Sequence, residues 1–422
     1  MSPINNVHNN KLVVGLDIGS TNIICAIGHN TESNNAVKLR GISSTESSGI
    51  KKGVITNRDE LINKIDKVIT EAEKMADVKV DKVMISITGE HIRSLNTQAA
   101  IPLNGSSGIM EDRAIKNQDI VHVLNLAQAV TLPGDRDIIH TIPQEYIVDT
   151  IGEINNPLGM IGRRLEGRVH LVTSSTTAMT NLVSCVEELG IIVEGIVFQP
   201  LAAALSTLKK DEMELGITLV DIGTNTTNIA VFHNGAIKHS CVIPVGAANI
   251  TNDIAVMLQI SINEAEKIKI KYASAQSSMS SAELEISLDS NENRTPLKVP
   301  ENNISKYVEA RMEEIFQMVI REIMKTEIKD PLTYGIVLTG GGAELRNIIP
   351  LAKDSLGINV REGKPLNIEG TNDFAEQPHY ATVMGLLLWP YHSADHMRRQ
   401  KNQNLSFKFI LDKIKHTIED MF

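Results

Sequence analysis

The stretch GITLVDIGTNTTNIAVFHNG, residues 216–235, repeats KLVVGLDIGSTNIICAIGHN, residues 11–30. Each passes from an apolar run through Asp-Ile-Gly and hydroxyl residues to Asn-Ile and a second apolar run. That pattern predicts two β-strands joined by a tight turn. Aligned on Asn-Ile, the second turn is longer by two residues. The segments downstream of the two copies correspond as well. After the first come a strand-like run, VKLRGISSTES, and a helix with Leu61, Ile65, Val68, Ile69 and Ala72 at helical spacing. After the second come AIKHSCVIPVG and then ANITNDIAVML, where Ile250, Ile254 and Met257 keep that spacing. The chain therefore reads as a duplicated α/β domain, a class that binds ligands at the crevice where the strand order reverses.

The remaining segments interrupt this duplication. Residues 81–173 open with DKVMISITGEHI and close with GRVHLVTSS, both strand-like, with VLNLAQAV as a short helix between them. They read as a small inserted subdomain. Residues 246–329 form a second, helix-rich insertion, broken by the polar run ASAQSSMSSAELEISLDSNENRTP, which is expected to be a surface loop. The expected boundaries are 11–82 and 174–210, plus a helix at about 377–391, for the first core, with 83–173 inserted. The second core takes 211–245 and 330–376, with 246–329 inserted. A polar linker at 392–404 precedes a C-terminal segment, 405–422.

Composition narrows the class of protein. At 422 residues and 42% hydrophobic, the chain has material for more than one folded core. Cys25, Cys185 and Cys241 show no C-x-x-C spacing, which opposes a zinc site or a disulfide framework and suits a reducing compartment. The polar N-terminus lacks signal-peptide order, and no apolar run approaches the ~20 residues of a membrane span. A formal net charge of −10 argues against nucleic acid as a partner.

Three loops could cradle a phosphorylated ligand. In the first, Gly19 allows close backbone approach, Ser20, Thr21 and Asn22 supply donors, and Asp17 would face a magnesium ion through its water shell. In the second, Asp221, Gly223, Thr224, Asn225, Thr226 and Thr227 could act likewise, with Asp221 toward the metal. In the third, IVLTGGGAEL, Gly340, Gly341 and Gly342 would let a flat adenosine lie against backbone. Any one loop alone reads as a structural turn. The three in this order, within a duplicated fold, point to a nucleotide cleft.

With these residues in view the chain resembles the actin-like ATPase superfamily, and within it the FtsA family of bacterial cell-division proteins. IPQEYIVD (142–149), NPLGMIGRRLEGRVHLVTSS (156–175) and GKPLNIEGTNDFAEQPHYATVMGLLLW (363–389) carry the family likeness. The resemblance implies two duplicated RNase H-like domains flanking a nucleotide cleft, with an FtsA-type subdomain at 83–173. It implies ATP and Mg2+ as cofactors, held by the residues named above. It also implies that Glu266 and Lys269, at i and i+3 in NEAEKIKIKY, contact ribose and base; a surface ion pair is the alternative. Gln199, in FQPLAAALSTL, matches the residue that positions the attacking water, although it could instead cap its helix. The second loop departs from the common DIGGGT pattern. Thr224 and Asn225 replace glycines, whose positive φ they would restrict, and Asn228 stands where an acid is common. Slow hydrolysis, if any, is the expectation.

In LSFKFILDKIKHTIEDMF, a helical projection puts Phe407, Ile410, Leu411, Ile414, Ile418, Met421 and Phe422 within an arc of about 120°. Lys408 and Lys415 lie at or beyond its edge, suited to anionic headgroups. With the resemblance, this reads as a membrane-binding helix, the alternative being a terminal helix packed on its own domain. The implied function is an actin-like protein that polymerises on the inner face of the cytoplasmic membrane at the division site, tethers the FtsZ ring there and helps recruit other division proteins. The FtsZ C-terminal peptide would dock within 246–329, and self-contacts would involve the first insertion. A pilus or secretion assembly ATPase shares the core but usually lacks the terminal strip. A small-molecule kinase of the superfamily would need a catalytic base that does not stand out.

Overall fold

The computed structural model describes residues 12–31, 36–103, 112–288, 297–326, 328, 332–370 and 376–398. Among the described residues two units emerge, one comprising those within 12–96, 132–142 and 170–388, the other those within 97–131, 143–169 and 389–398. The first holds both copies of the repeated hairpin.

The copies build two sheets of one topology. In the first sheet, Leu12–Ile18 pairs antiparallel with Asn22–Asn30, which pairs antiparallel with Val37–Glu46. Lys82–Ile87 and then Ile192–Phe198 add parallel strands on the other side. In the second sheet, Ile217–Ile222, Thr227–His233 and Ala236–Ile243 form the same antiparallel run, with Ile336–Thr339 and Val360–Glu362 as the parallel additions. The central strands are buried on both faces, which is why they read as continuous apolar runs rather than alternating ones.

The helix after the first hairpin, Arg58–Ala76, starts where the Asn57 side chain accepts the Glu60 N–H. It buries Leu61, Ile65, Val68, Ile69 and Ala72, the face expected from spacing. Its counterpart, Ala247–Leu258, buries Ile250 and Ile254, but Met257 is exposed and Leu258 takes the third inward position. The Ala381–Arg398 helix crosses Gln199–Thr207 closely, since a Cβ on Gly385 would fall 1.7 Å from the Ala202 carbonyl.

Several boundaries differ from expectation. The DKVMISITGE strand, assigned from residue 83 to the insertion, is a core strand between Leu12–Ile18 and Ile192–Phe198. Ile368–Glu369, assigned to the second core, pairs parallel with Val37–Lys38 at the edge of the first sheet. The polar run is described from residue 273 to 288 and is not all loop there. It contains the Glu285–Leu288 strand, which pairs with Leu297–Pro300 and buries Ile286 and Leu288. Alternation of apolar and polar residues in EISL is the signal that its serines obscured. The Ala381 helix runs to Arg398, through Pro390 and into the expected linker. The tail strip, 405–422, lies outside the described residues.

The second unit has its own core. The Asn117–Gln128 helix buries Val123, Leu124 and Ala127, and Leu103, Ile115, Tyr146, Val148, Leu165 and Val169 are buried with them. Ile161–Gly162 pairs with Arg113–Ala114, and Ile151–Ile154 turns back to pair antiparallel with the end of the strand that finishes at Val148.

Candidate nucleotide cleft

The two Asp-Ile-Gly turns have the same length. Gly19 N–H donates to the Asn22 carbonyl at 3.0 Å, and Gly223 N–H donates to the Thr226 carbonyl at 2.8 Å. Ile18 pairs with Ile23, and Ile222 with Thr227. The expected two-residue extension is therefore a misalignment on the Asn-Ile dipeptides. Asn22 corresponds in place to Thr226, and Asn228 to Ile24. The true asymmetry is what faces each aspartate across its hairpin, Ile24 opposite Asp17 and Asn228 opposite Asp221. Nor do Thr224 and Asn225 resist the turn by their φ angles, since neither adopts positive φ.

Both aspartates are buried, Asp17 at 6% and Asp221 at 3% exposure. Ser86 Oγ donates to Asp17 Oδ1 at 2.5 Å. Burial pushes the Asp17 carboxyl up to about 6, against the pull of that bond. Asp221 is pushed up to about 7 by burial and by the negative charge of Asp17, and the Asn228 amide only partly offsets this. Two buried carboxylates, one of them raised further by the charge of the other, make a ready site for a hard dication, which prefers oxygen donors. The donor set fits magnesium.

The loops touch through hydroxyls. Thr21 Oγ1 donates to Thr224 Oγ1 at 2.7 Å. A second link runs through Asn228, which is fully buried. Its Oδ1 accepts from Thr88 Oγ1 at 2.6 Å, and its Nδ2 donates to Gln199 Oε1 at 2.9 Å and to Asp221 Oδ2 at 3.4 Å. Gln199 is the first residue of the Gln199–Thr207 helix, whose N-cap is Phe198 with no side-chain cap bond. Its carbonyl is thus fixed by Asn228 rather than spent on capping. Phe198 N–H in turn donates to His140 Nε2 at 2.9 Å, and burial holds that imidazole neutral by lowering it to about 4.

The second turn is fastened from behind. Ala247 N–H donates to the Gly223 carbonyl at 2.9 Å and Ala248 N–H to the Thr224 carbonyl at 2.8 Å. The first turn of that helix thereby spends two N–H groups on the loop. Lys269 is 7% exposed, and its Nζ donates to Glu266 Oε2 at 2.7 Å, Thr251 Oγ1 at 2.8 Å and the Ala247 carbonyl at 3.3 Å. The Glu266–Lys269 ion pair therefore forms, with its cation buried against the helix that carries the loop.

The glycine turn divides in two. Gly340 sits at φ +79, and a Cβ there would lie 2.1 Å from Asp221 Oδ1; one on Gly342 would lie 2.3 Å from Ile222 Cγ2. These two glycines are demanded by packing on the second hairpin. Gly341 meets nothing within 4 Å, leaving its face open. The turn leads into a 3-10 helix, Gly341–Glu344. Sequence reasoning missed Ser86, Thr88 and His140. Ser86 and Thr88 were legible as alternate hydroxyls at the end of a strand, but His140 carries no local signal.

A family profile described as cell division protein FtsA matches residues 218–385, and one described as the SHS2 domain inserted in FtsA matches 89–173. Among solved structures, a chain of the PilM–PilN type IV pilus biogenesis complex superposes with a TM-score of 0.64 at 16% identity, over 89% of this chain and 98% of that one. MreB5 of Spiroplasma citri bound to ADP gives 0.55 at 14% identity, over 94% and 100%. Likeness at such identities speaks for fold, and with the duplicated sheets it defines an actin-like protein. The cell division protein FtsA of Pseudomonas aeruginosa is 38% identical over 383 residues, 91% of this chain and 90% of the relative. That of Bacillus subtilis is 36% identical over 405 residues, 95% and 88%. The chain belongs to the FtsA family of cell-division proteins.

Proposed function

We propose that this chain binds ATP with Mg2+ between its two Asp-Ile-Gly turns and uses the bound state to polymerise and to tether the FtsZ ring to the membrane. The observation that carries the nucleotide reading is the buried pair Asp17 and Asp221 at facing turns, two carboxylates raised by burial, with Asp221 raised further by the charge of Asp17. Magnesium, when bound, would neutralise that pair and the phosphate charge.

Around that centre, Ser20, Thr21, Asn22 and residues 223–227 would supply hydroxyl, amide and backbone donors to phosphate oxygens. Gly341, open where its neighbours are packed, would receive the adenosine face, with Gly340 and Gly342 shaping the turn. Glu266 and Lys269 would border the ribose. Gln199, anchored through its carbonyl to Asn228, would orient water with its amide. An amide orients water but does not take its proton, so turnover is slow.

At the level of the cell, polymers would gather the 405–422 strips so that individually weak anchors act together at the inner face of the cytoplasmic membrane. The FtsZ C-terminal peptide would dock within 246–329, and other division proteins would be recruited to the polymer. Co-sedimentation of the full chain with anionic liposomes and MgATP, with and without FtsZ peptide, tests the whole reading. Pelleting should require residues 405–422 and should carry the peptide down. Equal pelleting after their deletion overturns the tether, and absence of MgATP binding by calorimetry overturns the cleft separately.

A further inference from the structure

We propose that His239, Cys241 and Glu322 form a transition-metal site, suited to zinc by its donors. His239 and Cys241 stand two apart on the edge strand Ala236–Ile243, so their side chains share one face of the sheet. Ser240, between them, turns the other way and bonds His170 Nε2 at 2.8 Å. Glu322 comes from the last turn of the Glu301–Met324 helix. The three donor atoms lie within 4.8 Å of one another, and His239 Nε2 is 3.3 Å from Glu322 Oε2. Zinc bonds of about 2.0–2.3 Å in a tetrahedron separate donors by about 3.3–3.8 Å. The imidazole and carboxylate already meet that spacing, and the thiol needs only a small side-chain adjustment.

The surroundings fit as well. Glu322 Oε1 accepts from Lys325 Nζ at 2.6 Å, which leaves Oε2 directed at His239. Lys325 thus orients the ligating carboxylate from outside, the role outer-shell partners take at metal sites. A thiolate and a carboxylate balance the charge of a dication, the thiol proton passing to buffer as the metal–sulfur bond forms. A thiolate–imidazole pair selects against magnesium and calcium. Three protein donors leave the fourth position to water. All three residues are half-buried, within reach of solvent. Cys241 pairs with Ile229, the residue after the Asn228 that pairs with Asp221, so Cys241 and Asp221 lie on opposite faces of the sheet. Metal there would clip the end of the long helix to the edge of the second sheet.

The full chain, reduced and treated with chelator, is titrated with Co2+ without nucleotide. A thiolate-to-cobalt charge-transfer band should rise to a plateau at about one equivalent, and zinc should bleach it. Cys241→Ser should abolish the band, and Glu322→Gln should weaken binding about tenfold or more. No band in the unaltered protein, or a band that survives in Cys241→Ser, overturns the site. If Cys241→Ser does not fold, the Cys25→Ser/Cys185→Ser double variant decides the question. Its band should be intact, and loss of the band there overturns the assignment equally.

Discussion

Thr21 Oγ1 donates to Thr224 Oγ1 at 2.7 Å, joining two turns that lie 203 residues apart in sequence. The bond brings the two turns within reach of one phosphate oxygen, which would accept from both hydroxyls. A double-mutant cycle with Thr21→Val and Thr224→Val should give a coupling of about 0.5–1.5 kcal/mol in nucleotide-free thermal or denaturant unfolding. Each single variant should also bind MgATP several-fold more weakly. A coupling of zero would remove this contact from the account of the free protein.

The carboxylate pair predicts a pH signature. Asp17 and Asp221 rise from near 4 to about 6 and about 7 on folding, so between those values the folded state holds more protons than the unfolded chain. Their contribution to stability therefore falls as pH rises from about 4 to about 7 and is flat above. Buried His140 and His170, lowered to about 4 and about 3, contribute the opposite slope below pH 6.5. Comparison with Asp221→Asn isolates the pair. In magnesium-free buffer this variant should melt above the unaltered protein at pH 8, with the gap closing toward pH 5, and should bind MgATP at least about tenfold more weakly. A gap independent of pH would show that folding does not raise the Asp221 carboxyl.

The repeated hairpin and the apolar spacing of Leu61, Ile65, Val68, Ile69 and Ala72 made the duplicated domain legible, because continuous buried strands and one-sided helices leave strong local patterns. Loop length was misread because the dipeptide Asn-Ile occurs in both copies by coincidence of letters, while register is set by pairing across the hairpin. The core strand at Lys82–Ile87 and the edge strand at Ile368–Glu369 were misassigned for a related reason. A strand's sequence reports that it is buried or paired, not which sheet it joins. The Asn228 junction was half legible. Its departure from an acid was visible, but its bonds to Thr88 and Gln199 depend on residues 140 and 29 positions away.

The glycine turn separates two kinds of requirement. Gly340→Ala puts a methyl group 2.1 Å from Asp221 Oδ1 at a φ that side chains rarely adopt. It should cost about 2–4 kcal/mol and disturb the aspartate. Gly341→Ala meets no neighbouring atom, and should leave the melting transition within about 0.5 kcal/mol. If adenosine lies against that face, the same substitution should still weaken MgATP binding. Normal affinity in a folded Gly341→Ala would move the base elsewhere.

His140 supports the site from outside it. Its neutral Nε2 accepts the Phe198 N–H immediately before Gln199. His140→Phe fills similar space but leaves that N–H without an acceptor, at a cost of about 1–3 kcal/mol. Denaturant unfolding should show the loss, and any ATP turnover should fall with it because the start of the Gln199 helix shifts. Unchanged stability would mean that the amide finds another partner.

Asn228→Asp tests why this cleft should be slow. The substitution removes the amide that donates to Gln199 Oε1 and Asp221 Oδ2, and sets a third carboxylate beside a pair already raised by burial. Without magnesium at neutral pH, stability should drop by about 3 kcal/mol or more. The deficit should shrink as pH falls toward 5, where a protonated carboxyl regains a donor. Magnesium should recover part of it by binding the added charge. With MgATP present, the new carboxylate would offer the proton acceptor that an amide cannot, and steady-state phosphate release should rise by at least about tenfold. A variant that is folded in magnesium yet no faster would show that the missing acid does not limit turnover.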